Sequence, residues 1–198
     1  RLDDPGLMKL ADAHYPFVLI GRSNLSVPMN QIEIDDVTAA REATEYLIGL
    51  GHRRIAFAGG PISVPSGYDR FEGYRQALGR HDIAYDEHLA AFRDPPLPTA
   101  GAEMAREILA KKPGVTAFFA FNDLVAIGAI EELRAAGLAP GVNVSVLGFD
   151  DIFAARYANP PLTTIRQSGY DKGRLAVERL HQMLTGETEP RRIPLPTQ

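Results

Sequence analysis

Val115-Thr116-Ala117-Phe118-Phe119-Ala120-Phe121-Asn122-Asp123 is an apolar run that ends on two polar residues. Its apolar side chains stand on consecutive positions instead of alternating, as in a strand covered on both faces. Directly after it, Ala126, Ile130 and Leu133 recur at the spacing of one helix face, and Gly137 stands where a left-handed C-terminal cap belongs. A second apolar run follows, Val144-Ser145-Val146-Leu147-Gly148-Phe149. Strand, helix and strand in immediate succession predict a parallel sheet with helices on both faces, an α/β fold.

The alternation extends upstream. Pro16-Phe17-Val18-Leu19-Ile20 and Arg54-Ile55-Ala56-Phe57-Ala58 read as two further strands, and Leu89 to Phe92 as a weaker one. Helical stripes run through Ala40, Ala43, Leu47 and Leu50 up to Gly51, through Ala105, Ile108 and Leu109 up to Pro113-Gly114, and through Gly173, Val177, Leu180 and Leu184 up to Gly186. Leu7, Leu10 and Ala11 suggest an opening helix that precedes any strand it could pack against. A helix cannot bury its stripe alone, so the expectation is that an upstream part of the same sheet lies outside this chain.

With 45% hydrophobic and 23% charged residues, the 198-residue chain can build one ordinary core or two small lobes. No run approaches the roughly 18 apolar residues of a membrane helix, and Arg1-Leu2-Asp3-Asp4 does not open a signal peptide. A soluble chain is expected. The absence of cysteine excludes disulfides, thiol nucleophiles and cysteine-ligated metals, and agrees with the reducing cytoplasm. A net charge of −4 gives no basic field to grip a phosphate backbone. Nucleophile-elbow, phosphate-loop, dinucleotide and zinc-protease motifs do not occur, and His14, His52, His81, His88 and His181 lack metal-ligand spacing. Neither an enzyme nor a metal or cofactor site is expected.

Ligands of open α/β sheets bind beyond the carboxyl ends of the strands, where helix N-termini also point. Arg22 follows the first strand, Asn122-Asp123 the third and Asp150-Asp151 the fourth. After the second comes a loop from Gly59 to Tyr68, ending on Asp69-Arg70 at a helix start. Four polar clusters converge on one edge, which makes a cleft there the default binding site. Taken singly, each has a plainer role. Asn122 and Asp150 fit as helix or turn caps, Asp35-Asp36 as another cap, Arg70 and Arg22 as solvated charges, and the phenylalanines as core.

Four segments resemble the LacI/GalR family of bacterial repressors. They are Gly49-Leu50-Gly51-His52-Arg53-Arg54-Ile55-Ala56-Phe57 with Gly60-Pro61; Arg70-Phe71-Glu72-Gly73-Tyr74; Phe121-Asn122-Asp123 with Ala126-Ile127-Gly128-Ala129; and Ser145-Val146-Leu147-Gly148-Phe149-Asp150-Asp151 leading to Pro160-Pro161-Leu162-Thr163-Thr164-Ile165-Arg166-Gln167. The resemblance implies two Rossmann-like lobes of the periplasmic-binding-protein type. Residues 1–35 and 168–190 would form a partial N-terminal lobe, and residues 36–167 and 191–198 the C-terminal lobe. The helix-turn-helix that such repressors place on operator DNA would lie outside this chain.

Carried over by position, the family's effector contacts fall on Ser66, Arg70, Asn122 and Asp150, with Arg22, Asp35, Phe119 and Gln167 as a second tier. The expected ligand is a small polar effector, a sugar or sugar derivative. Arg70 would fork onto two oxygens, Asp150 would accept from hydroxyls, and Phe119 or Phe121 would cover an apolar sugar face. The resemblance further implies a homodimer, through the helix from Leu124 to Ala136 and the segment Phe153 to Tyr157, unless Phe153 and Tyr157 pack inside the lobe. A periplasmic sugar-binding protein of a transporter is the alternative reading.

Overall fold

A computed structural model describes residues 5–23, 25–112, 114–187 and 189–198. In chain order it forms α1 (Pro5–Asp12), β1 (Val18–Ile20), β2 (Asn30–Ile34), α2 (Asp36–Gly49), β3 (Ile55–Gly59), α3 (Pro65–Arg80), β4 (Ala90–Phe92), α4 (Pro98–Lys111), β5 (Ala117–Ala120), α5 (Asp123–Ala135), β6 (Ser145–Asp150), β7 (Thr163–Arg166), α6 (Gly169–Leu184) and β8 (Arg192–Leu195). Short 3-10 turns cover Glu87–Leu89 and Phe153–Tyr157. Pro113 and the Arg1-to-Asp4 opening, both used in the sequence reading, lie outside the described residues.

The strands make two all-parallel sheets, one of order β1-β2-β8 and one of order β4-β3-β5-β6-β7. The larger sheet is covered on both faces, as the unbroken apolar runs require. Ala56, Ala58, Phe118 and Ala120 face α4 and α5, while Ile55, Phe57, Ala117, Phe119, Leu147 and Phe149 face α2 and α3. Helix pairs on each face are held close by glycine. A Cβ on Gly128 would stand 1.8 Å from the Pro98 carbonyl oxygen, and one on Gly73 would stand 2.3 Å from that of Val37. Gly51 and Gly137, at φ +95° and +77°, supply the left-handed caps that end α2 and α5.

The smaller sheet differs from the sequence reading. β2 and β8, and β7 in the larger sheet, were not legible as strands, because Asn30-Gln31-Ile32-Glu33-Ile34 and Arg192-Ile193-Pro194-Leu195 are polar or proline-broken. Tertiary contacts override that composition. Asn30 and Gln31 are buried, and Asn30 Oδ1 accepts from Arg179 Nε at 2.6 Å and from the Arg191 amide at 3.0 Å. β8 is an edge strand, where the missing N–H of Pro194 costs no ladder bond. Residues 191–198, expected with the 36–167 body, divide. Arg192–Leu195 pairs with β2, while Leu195 packs against the core of the larger body and Gln198 exchanges hydrogen bonds with Arg166 of β7, at 2.7 and 3.1 Å. α6 packs on β1 and β2, so its stripe belongs to the smaller sheet.

Phe153 and Tyr157 do not pack inside. They pack against each other, with ring planes tilted by 48° and centroids 4.9 Å apart, and are 75% and 72% exposed.

Candidate binding cleft

Helix α3 begins earlier than the loop reading suggested, at Pro65, whose fixed φ suits the first helical position. Ser66 therefore sits in the first turn and Arg70 one turn further on, where the helix carries its side chain to the carboxyl ends of β5 and β6. Arg70 is 5% exposed. Its Nε donates to Asp36 Oδ1 at 2.7 Å, its Nη1 donates to the Phe121 carbonyl oxygen at 2.6 Å, and Asp150 Oδ1 stands 3.8 Å from Nη1. The guanidinium plane lies over two rings, 3.6 Å from the Phe149 centroid and 4.7 Å from that of Phe121. Charge-assisted bonds and aromatic faces together make this burial tolerable. Asp36 gains further from its place in the first turn of α2, where the helix dipole favours a carboxylate.

Asp150 closes β6 at φ +114° and Asp151 follows at +54°. Side chains other than glycine pay of order 1 kcal/mol or more for that backbone region, and such outliers gather at functional sites. The Asp150 carboxylate accepts from the Gln167 side-chain amide, and Gln167 Oε1 in turn accepts from Lys172 Nζ. Burial pushes the Asp150 pKa up, with the Arg70 charge acting against it. Burial likewise pushes the Lys172 pKa down, opposed by the Asp36 and Asp150 charges. On the other flank Arg22 Nη1 meets Asp69 Oδ2 at 2.7 Å.

These groups surround a cavity of about 260 Å³, walled by Arg22, Ile32, Ile34 and Lys172 from the smaller-sheet body and by Asp36, Ser66 and Arg70 from the larger one, with Gln167 at the crossing. A second hollow of about 230 Å³, between Tyr46, Leu50, Pro140, Pro160 and Leu162, has no Asp, Glu, Lys, Arg or His on its wall and offers little to a polar ligand.

Of the residues read from the sequence, the structure brings Ser66, Arg70, Gln167 and Arg22 to this cavity, with Asp150 and Phe121 against Arg70 at its edge. The others are placed differently. Phe119 is fully buried, its ring 5.5 Å from Phe57 in the core between β5 and α2 and α3; strand alternation aims it there, so it cannot stack on a ligand. Asp35 is exposed and caps α2, accepting from the Thr38 amide at 2.9 Å, the first cause of its lowered pKa. Asn122 caps α5, with Oδ1 accepting from the Val125 amide at 2.8 Å while Nδ2 donates to the Pro96 carbonyl oxygen at 3.3 Å.

Asp36, Asp69 and Lys172 were missed. Asp36 follows the cap it was grouped with, and Lys172 stands one helical turn past the Ser168 cap of α6, so a search of first helical turns for charges would have found both. Asp123, fully buried, is structural. It accepts from Thr164 Oγ1 at 2.5 Å and the Ile152 amide at 2.8 Å, fixing β7 and the chain beyond β6.

Residues 44–198 match the periplasmic binding protein-like domain family. The HTH-type transcriptional regulator CelR of Thermobifida fusca is 40% identical over 199 aligned residues, covering 98% of this chain and 58% of CelR. The HTH-type transcriptional repressor CytR of Escherichia coli K12 is 34% identical over 172 residues, covering 87% of this chain and 50% of CytR. The chain thus spans between half and three-fifths of these relatives. Among solved structures, a complex of the transcriptional regulator CelR with cellobiose superposes with a TM-score of 0.87 at 38% identity, covering 99% of this chain and 61% of that one. A LacI-family regulatory protein from Chloroflexus aggregans gives 0.91 at 34% identity, covering 98% and 70%. Parallel α/β sheets, motif order and these relatives agree: the chain belongs to the periplasmic binding protein-like domain family, in the form that LacI-type transcriptional regulators carry.

Proposed function

We propose that this chain is the effector-sensing core of a LacI-type regulator, holding a small polar ligand, a sugar or sugar derivative, between its two sheets. The observation that carries the reading is Arg70, buried yet with its guanidinium at the wall of a cavity built from both bodies. The cellobiose complex of a relative supports a sugar as ligand. Arg70, Ser66, Gln167 and Arg22 would contact ligand oxygens, joined by Asp36 and Lys172, and Asp150 would accept from hydroxyls. Asn122 keeps its Oδ1 in the helix cap and one N–H of Nδ2 on the Pro96 carbonyl, so only its second N–H would serve a ligand. Phe121, which packs against Arg70, rather than the core residue Phe119, would serve the apolar side of a sugar.

Ligand contacts from both bodies favour the closed arrangement, and differential affinity for that arrangement would transmit binding to operator DNA. DNA recognition is assigned to the part of such regulators that this chain does not span. The relatives are regulators, which sets this reading ahead of a transporter's binding protein. It is a reading of binding and not catalysis: the cleft carboxylates face cations rather than each other. A regulator of DNA works in the cytoplasm, and among the described residues no helix is long and apolar enough to cross a membrane. The exposed Phe153–Tyr157 pair supports a homodimer through this segment, and Phe153→Ser with Tyr157→Ser is expected to halve the mass seen by light scattering.

The cleft is tested by isothermal titration of the full-length protein across a sugar panel that includes cellobiose. Ser66→Ala, Arg70→Ala and Asp150→Ala are each expected to weaken the bound sugar about tenfold or more, the scale of a hydrogen bond to a charged group. Full affinity in all three variants would falsify the site.

A further inference from the structure

We propose that Lys172 selects the ligand of this cleft, pairing with an anionic oxygen group, a carboxylate or a phosphate monoester, on an otherwise polar effector. Such selection presupposes the effector site proposed above and narrows the class of its ligand.

Among the described residues, the cavity wall carries the cations Arg22, Arg70 and Lys172 and a single carboxylate, Asp36. Both arginines are engaged. Arg70 holds Asp36 at 2.7 Å and the Phe121 carbonyl oxygen at 2.6 Å, and Arg22 meets Asp69, which is not on the wall, at 2.7 Å. Lys172 differs. Among the described residues it makes no ion pair; its Nζ donates to Gln167 Oε1, a neutral amide oxygen, while the Nε2 of that amide is spent on Asp150. Asp36 and Asp150 act on the ammonium only through space, and burial outweighs them, pushing the Lys172 pKa down. A half-buried cation without a counter-ion is costly to keep charged, and an anion placed beside it lifts that cost.

The supply of hydrogen bonds favours the same ligand. Arg22, Arg70, Lys172 and the Ser66 hydroxyl are donors on the wall, whereas its acceptors are partly taken, Asp36 Oδ1 by Arg70 and Gln167 Oε1 by Lys172. Every hydroxyl of a neutral sugar brings a proton that needs an acceptor, and this wall is short of them. An ionised carboxylate or phosphate oxygen only accepts. The start of α3 adds to the preference. Val64 gives that helix no side-chain cap, and its first turn brings Ser66 to the wall, so the positive end of the helix dipole lies beside the cavity. Asp36 opposes an anion, but its charge is held by Arg70.

The test is isothermal titration of the full-length protein with aldohexoses and disaccharides, each offered as the free sugar, its 1-phosphate, its 6-phosphate and its uronate. At least one anionic member is expected to bind about tenfold or more tighter than its parent sugar. The phosphates and the uronates tell the two anions apart, and either supports the assignment. Lys172→Met is expected to weaken that member about tenfold or more while changing the free sugar less than about threefold, and Lys172→Arg, which keeps the charge, to stay within about threefold for both. Free sugars that bind with no anionic counterpart tighter overturn the selection and leave the effector site standing. Equal losses of sugar and anion in Lys172→Met overturn it too, because Lys172 is then a general contact. If Lys172→Met does not fold, Lys172→Gln takes its place. Binding of no member takes down both the selection and the sugar-derivative reading.

Discussion

Arg70 does two jobs with one guanidinium. It joins α2, α3, β5 and β6 through Asp36, the Phe121 carbonyl and the Phe149 ring, and it presents its remaining donors to the cavity. Removing it takes from Asp36 and Asp150 their nearest cation. Arg70→Ala is therefore expected to lower stability by about 3–5 kcal/mol in urea titrations, the usual cost of breaking one side of a buried pair. Arg70→Lys should recover little, because an ammonium cannot fork between Asp36 and a carbonyl while lying flat on a ring. Asp69 gives a pH signature. Its raised pKa means that the folded chain binds the proton more tightly than the unfolded one. The stability it contributes is full below the unfolded value of about 3.9 and is lost as pH rises from there through the folded value. Asp69→Asn lacks that titration, so variant-minus-parent stability is expected to climb as pH rises from about 4, and a flat or falling difference counts against the assignment.

At the scale of elements, α4 and α5 approach each other through glycine. A Cβ on Gly101 would stand 2.1 Å from the Val125 carbonyl oxygen, and one on Gly128 would stand 1.8 Å from that of Pro98. Both obstacles are backbone, so a methyl must push one helix off the other. Gly128→Ala is expected to cost about 1–3 kcal/mol, read as a lower urea midpoint at unchanged slope. Asn122 separates two roles on one residue. As the α5 cap, its replacement by Ala should cost about 1 kcal/mol of stability. Any loss of sugar affinity beyond that would come from Nδ2.

The whole molecule is two sheet bodies tied at the cleft by Arg22–Asp69, by the Lys172–Gln167–Asp150 chain and by the Arg166–Gln198 backbone exchange. The Arg22 side chain is 39% exposed, which reduces what its pair contributes. A double-mutant cycle of Arg22→Ala and Asp69→Ala should still show coupling of about 1 kcal/mol. Small-angle scattering should show the single variants more extended than the parent without ligand; no coupling and no change in size would mean that the tie does not hold the bodies together.

β3 to β6 of the larger sheet were legible because both faces there are apolar, so that runs such as Ala117 to Ala120 announce themselves without any knowledge of their neighbours; β7, at the edge and half exposed, was not. Caps at Gly51 and Gly137 were legible for a similar reason, since the backbone there demands a residue without a side chain. Motif order sufficed for the family, and it singled out Ser66, Arg70 and Gln167, which lie on the cavity wall, and Asp150, which lies against Arg70. What tertiary structure alone decided depends on partners remote in the chain. β2 and β8 are strands because Arg179 and the Arg191 amide satisfy a buried Asn30, which local composition does not disclose. Phe119 and Phe121 look alike in sequence, yet the end of β5 leaves one in the core and the other beneath a guanidinium. The ion pairs of the cleft are likewise tertiary: Asp36 reaches Arg70 only where α2 packs on α3, and Asp69 reaches Arg22 only where the two sheets meet, because electrostatic pairing depends on separation in space and not along the chain.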